Sequence, residues 1–200
     1  MYPAKDPHAL SAEMPFIGLP AKVSDFWLYA LGDSRTNNLR GYLAEFMVRE
    51  AVGSTRPKVE WDSYDVIDPS GVTIEVKSIG YVQAWAPNGI PISATKVKRR
   101  AQSARFTGLQ SRKLLSGSDY AKESTYNADV YVLCEETEKC VDHYRPLDIS
   151  QWGFYVLGNK TVSDTKQKSI SIARVKELVT QTAYTDLAGA ITLAAQPPQA

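Results

Sequence analysis

The stretch DVIDPSGVTIEVKSIG, residues 65–80, constrains the fold more than any other part of the chain. Asp68-Pro69-Ser70-Gly71 suits a type I turn, with proline at the second position and glycine in the left-handed conformation after it. That chemistry predicts a hairpin with a three-residue loop and a glycine bulge. Asp68 is then paired with Val72, and counting back places Asp65 opposite Glu75. Side chains two apart on a strand share a face, so Lys77 joins Glu75 there. Asp62 and Asp68 differ from Asp65 by odd counts and point the other way. Two carboxylates held ~5 Å apart repel each other and call for a shared proton or a cation. A hard divalent ion with oxygen ligands, Mg²⁺ or Mn²⁺, meets that need, and the Lys77 ammonium offsets part of the charge.

Around this hairpin the sequence predicts an α/β fold: a central mixed sheet of about five strands flanked by helices. Four prolines within residues 1–23 predict a poorly ordered N-terminal arm. A single domain is expected over 24–195 and a frayed tail over 196–200. SDFWLYALGD (24–33) reads as a short helix capped by Ser24. Residues 34–53 read as the strongest helix, ended by Gly53. Leu39, Leu43, Phe46 and Met47 form one apolar stripe of that helix. Gly41, Ala44, Val48, Ala51 and Val52 form a second, so it is expected to be buried on both sides. Strands are expected at 59–68, 72–80, 89–95, 128–136 and 153–158, and a helical turn at 146–152. A short strand or loop at 168–171 and helices near 172–181 and 184–195 complete the chain. Residues 96–118 are compatible with a helix or a basic loop.

Net charge is +1, but it is unevenly spread. Residues 76–118 carry eight basic side chains and no carboxylate, between acidic flanks. An acid-free stretch of this length favours a polyanionic partner: DNA, or RNA, whose backbone carries the same charge. Lys96, Lys98, Arg99, Arg100 and Arg105 are the expected backbone contacts. No apolar run approaches the ~20 residues that span a bilayer, and the N-terminus lacks a signal layout, so a cytoplasmic protein without membrane contact is expected. The two cysteines, Cys134 and Cys140, and two histidines, His8 and His143, lack zinc spacing and stand beside no nucleophile. Cys134, in DVYVLC, reads as a reduced core residue.

The spacing Asp65, ten residues on, Glu75-Val76-Lys77 resembles the D…E-x-K signature of the PD-(D/E)XK nuclease superfamily, which has a restriction endonuclease-like core. Many of its members carry a glutamate on the helix before the hairpin in a G-x-x-x-E setting; Gly41 and Glu45 have that spacing. The resemblance spans roughly 34–85, with 128–136 as a following strand; Tyr64 stands where many members have proline. It implies a Mg²⁺-dependent nuclease hydrolysing DNA phosphodiester bonds. Asp65, Glu75, the Val76 carbonyl and Glu45 would hold the metal, and Lys77 would position the attacking water. Gln83 would contact the phosphate, and a homodimer is a further implication. Glu45 could instead pair with Arg49, and Trp85 could stack a base or cap the core. The alternative function is an accessory nucleic-acid-binding protein with the same fold and no catalysis.

Overall fold

The computed structural model describes residues 10–58, 62–84, 103–116 and 119–196. The expected strand at 89–95, Trp85, and the basic residues Lys96, Lys98, Arg99 and Arg100 lie outside those segments.

Two helices precede the hairpin. α1 spans Val23–Leu31 and α2 spans Asn37–Ala51. Ser24 lies inside α1 rather than capping it: the first turn is closed by Asp25, whose carboxylate accepts from the Lys22 N–H at 2.8 Å. Thr36 caps α2 by accepting from the Leu39 N–H, and Gly53 follows the helix at φ 65°, the left-handed conformation that glycine adopts without strain. α2 buries one broad face. Ala44 and Val48 are fully enclosed, with Leu43, Met47, Ala51 and Val52 packed beside them. Phe46 does not join that face; it and Tyr42 are about half exposed.

The hairpin forms with the expected register. β1 (Val66–Ile67) pairs antiparallel with β2 (Thr73–Gly80), Val66 with Ile74 and Ile67 with Thr73. Gly71 has φ 97° and donates its N–H to Asp68 O, and Asp68 donates its own N–H to Val72 O. The Asp68 carboxylate accepts from the N–H groups of Ser70 and Val72, so an acid in the turn closes the turn. β1 is much shorter than the strand expected over 59–68. Residues 62–65 lie outside the strand: Asp65 still donates its N–H to Ile74 O, but the next β2 donor, the Val76 N–H, goes to the Asp65 carboxylate and the ladder stops there.

Three short strands follow: β3 (Arg105–Thr107), β4 (Leu114–Ser116) and β5 (Asp119–Tyr120). Within 96–118 the described part has Ser103 in helical backbone and two short strands, β3 and β4, joined by irregular residues 108–113; residues 96–102, 117 and 118 lie outside it. β6 (Val130–Glu136) and β7 (Trp152–Gly158) complete the main sheet, β7 entered from a 3-10 turn at Ile149–Gln151. Then come α3 (Asn159–Asp164), β8 (Ser169–Ser171), α4 (Ile172–Leu178) and α5 (Leu187–Ala194). Among the described residues the main sheet has four strands, in the order β1-β2-β6-β7; the fifth strand expected, at 89–95, lies outside them. β2 and β6 are parallel and the other pairs antiparallel, so the sheet is mixed. β3 pairs with β8, and β4 with β5, in separate two-stranded ribbons.

The sheet separates two cores. Ile74, Val76, Val132 and Cys134 face α2 and α5; Ile79, Tyr131, Leu133 and Tyr155 face the other way, towards β3, β8, α3 and α4. Near-continuous apolar runs in β6 and β7 are what a strand buried on both faces requires. Two acids end β6 and both are buried. Glu135 accepts from Tyr81 and Tyr155 hydroxyls and pairs with Lys176 at 2.9 Å. Glu136 is fully enclosed, keeps one carboxylate oxygen unpaired among the described residues, and is pushed up to about 7 by burial. On the same face Arg40, 2% exposed, lies over Gly80, where a side chain would collide with the guanidinium. Its terminal nitrogens donate to Val82 O and Asn37 Oδ1.

The raised Glu136 group is native-state stabilisation that is complete below the ordinary carboxylate range and lost as pH rises through about 7. Glu136→Gln keeps the oxygen that accepts from the Glu138 N–H and removes the titration. Thermal melts of the variant should therefore match wild type near pH 5 and exceed it above pH 8, by an amount on the order of 2 kcal/mol. Equal differences at both pH values would refute this account of Glu136.

Candidate active site

Four of the residues singled out in the sequence come together at the hairpin. The paired register ends at Val66 and Ile74; Asp65 donates its own N–H to Ile74 O at 3.0 Å and stands just outside the ladder, not directly across from Glu75 as the hairpin count expects. The Val76 N–H donates to Asp65 Oδ2 at 2.8 Å, which fixes the carboxylate against β2. Glu75 and Lys77 share the face of Tyr131 and Leu133, their partners on β6, and the Lys77 ammonium lies 2.5 Å from Glu75 Oε1. Val76 points the opposite way, into the core under α2. Glu45 comes from α2, next to the enclosed Ala44, and reaches past the short β1 to the same group of charges.

The electrostatics follow from burial. Glu75 is pushed up to about 7, first by loss of solvent and then by the Asp65 charge, against the pull of Lys77. Glu45 is raised for the same two reasons, with Lys58 opposing. For Lys77, burial works to lower the ammonium, but the charges of Glu75, Asp65 and Glu45 outweigh it and the group ends above its ordinary range. Lys77 is therefore a fixed cation at neutral pH. It donates hydrogen bonds and offers positive charge; it does not accept a proton.

Lys58 is the residue the sequence did not announce. Its ammonium pairs with Glu45, lies 4.0 Å from Asp65 Oδ1 and sits over the Tyr42 ring at 5.2 Å. It is thirteen positions from Glu45 in an irregular segment, where no periodicity marks a partner. Glu45 does not pair with Arg49, which is engaged by Glu50. Beside these charges opens a cavity of about 250 Å³ whose walls include Tyr42, Phe46, Tyr64, Glu45, Asp65 and Lys58. The ring of Phe46, left out of the core, is one of those walls.

Gln83 and Arg105 lie further along, at the far end of β2. Gln83 is buried, donates to Gly80 O at 2.8 Å, and keeps its oxygen unpaired among the described residues. Arg105 is exposed on β3 and donates to Ser169 O at 2.9 Å. Both line a second cavity, of about 410 Å³, with Asn37 and Arg40.

Among the described residues no three His, Cys, Asp or Glu side chains converge as a ready cage. Asp65 and Glu75 do converge: after burial, the Asp65 charge is the next cause of the upward shift of Glu75. Two carboxylates with room for water and phosphate oxygens fit Mg²⁺, which keeps most of its water shell. Among the described residues no helix is long and apolar enough to cross a membrane.

Comparison with known proteins supplies the remaining constraint. Searches of curated proteins and of solved structures return no match. A family model described as bacteriophage T4 endonuclease IV matches residues 32–174, a span that holds α2, the hairpin, β6, β7 and every charge of the site. The chain belongs to the bacteriophage T4 endonuclease IV family, a family of nucleases.

Proposed function

We propose that this chain is a metal-dependent endonuclease that hydrolyses DNA phosphodiester bonds at Asp65, Glu75 and Lys77, in the manner of the PD-(D/E)XK enzymes. The observation that carries the reading is the meeting of these three side chains on one face, with Glu45 beside them, inside a span matched by an endonuclease family. Asp65 and Glu75 would hold Mg²⁺ or Mn²⁺, with Glu45 close enough to act through water. When bound, such an ion activates water and neutralises charge on the phosphate. The chain's own parts are clear. Asp65 is held in place by the Val76 N–H. Lys77, kept cationic by its neighbours, orients the attacking water and stabilises charge growing on the phosphate oxygens. The apolar walls Tyr42, Phe46 and Tyr64 suit the flat faces of a sugar or base next to that phosphate. Basic residues of the 76–118 segment hold the flanking backbone.

The direct test is cleavage of duplex, single-stranded, flap and four-way-junction DNA with Mg²⁺ or Mn²⁺, beside binding titrations in Ca²⁺. Lys77→Ala should bind nearly as well as wild type and cleave ~10²-fold more slowly or worse. Cleavage at the wild-type rate would place the active site elsewhere. Binding without any wild-type cleavage would favour the accessory role.

The carboxylates can be examined without metal. Burial is the larger cause of the Glu75 shift and Asp65 the next. Asp65→Asn should therefore move Glu75 down from about 7 towards the ordinary range without restoring it fully, read from the pH titration of its carboxyl carbon by NMR. Because an ion competes with the Glu75 proton, Mn²⁺ affinity by calorimetry should fall as pH drops below about 7 in wild type, and Asp65→Ala should abolish it. An unmoved Glu75 in Asp65→Asn would mean that the two groups are not neighbours.

A further inference from the structure

We propose that Lys58 is a phosphate-binding residue held in reserve: it competes with a divalent ion for Glu45 and Asp65, and turns to the DNA backbone once the ion holds those acids. This role rests on the metal-dependent reading of the site and adds to it a residue that no motif marks.

The site has two lysines, and they are held differently. Lys77 rises from the middle of β2 with its side chain 26% exposed and its ammonium 2.5 Å from Glu75 Oε1. A methyl added at Gly108 would touch its stem, so the stem is packed as well as the charge paired. Lys58 stands in the irregular segment after α2, its side chain 43% exposed. Its ammonium pairs with Glu45, lies 4.0 Å from Asp65 Oδ1 and faces the Tyr42 ring at 5.2 Å. Those contacts are all made by the tip of a flexible four-carbon stem, and an ammonium keeps its charge in any orientation. Lys77 is fixed; Lys58 can turn.

Electrostatics gives the reason to turn. Glu45 and Asp65 are close enough for the Asp65 charge to raise Glu45, and Lys58 offsets part of that repulsion. An ion bound at Asp65 and Glu75 carries twice the charge of an ammonium and repels one that lies within 4.0 Å of an Asp65 oxygen. The anion then left for Lys58 is a phosphate of the bound strand. Three basic side chains line the cavity beside the site: Arg49, Arg56 and Lys58. Arg49 pairs with Glu50, and Arg56 donates to the Tyr64 hydroxyl at 3.3 Å. Lys58 is paired with the acids of the site itself, so its release is coupled to the ion that the acids take.

Lys58→Met keeps the stem and removes the charge. Calorimetry with Mn²⁺ and no DNA, at about pH 8.5 so that the Glu75 proton does not compete, should show roughly fivefold tighter binding by the variant than by wild type. DNA binding should change in the opposite sense. In Ca²⁺ the variant should bind single-stranded and duplex DNA roughly fivefold more weakly, with a salt slope smaller by about one phosphate contact. In EDTA, where Lys58 stays on the acids, the loss should be clearly smaller. Unchanged or weaker Mn²⁺ binding by Lys58→Met overturns the competition and leaves the metal site standing. An equal loss of DNA affinity in Ca²⁺ and in EDTA overturns the release to phosphate. A wild type that binds no Mn²⁺ overturns this role together with the metal-dependent reading.

Discussion

One turn carboxylate sets the geometry on which the site depends. Asp68 ties the N–H groups of Ser70 and Val72 while Gly71 takes a left-handed φ, and this fixes where β1 meets β2. A slip of one residue would send Glu75 and Lys77 to the opposite face, into the core under α2 where Ile74 and Val76 now lie. The register is thus enforced twice, by the turn at one end and by burial along β2. Asp65 gains its position from two bonds at the end of that ladder, its N–H to Ile74 O and its carboxylate to the Val76 N–H.

That arrangement concentrates charge that the fold does not neutralise by itself. Burial and mutual repulsion raise Glu45 and Glu75, while the same carboxylates hold Lys77 positive. The protein tolerates the cost because the groups stand at the edge of the sheet, where β1 is short. Buried charge elsewhere is handled differently. Glu135 has two hydroxyls and an ammonium, whereas Glu136 is left partly unpaired near Arg40. The contrast separates a satisfied structural acid from groups poised to change protonation.

The hairpin was legible in the sequence because its information is local: turn residues, strand parity and the spacing from Asp65 to Lys77. β6 and β7 were legible from their apolar runs, and Cys134 as a core residue within one of them. What sequence could not reveal depends on contacts between distant segments. Lys58 meets Glu45 only after folding. Arg40, a charged residue on an apolar face, is buried because Gly80 leaves it room. Phe46 looked like core by helical spacing, yet it stands about half exposed in a cavity wall. Four of the five expected strands form the main sheet; the fifth, at 89–95, lies outside the described residues, and the short strand at 169–171 pairs with β3 in a separate ribbon.

The parallel pairing of β2 with β6 has a consequence for how the chain reaches this state. The β1–β2 hairpin closes over three residues, and β6 joins its antiparallel neighbour β7 across 137–151. Bringing these two local units together requires closing the chain over 81–129, a far larger loss of chain entropy for the first contact made. The poised chemistry of this strand therefore depends on a long-range contact, because burial is the first cause of the Glu75 shift.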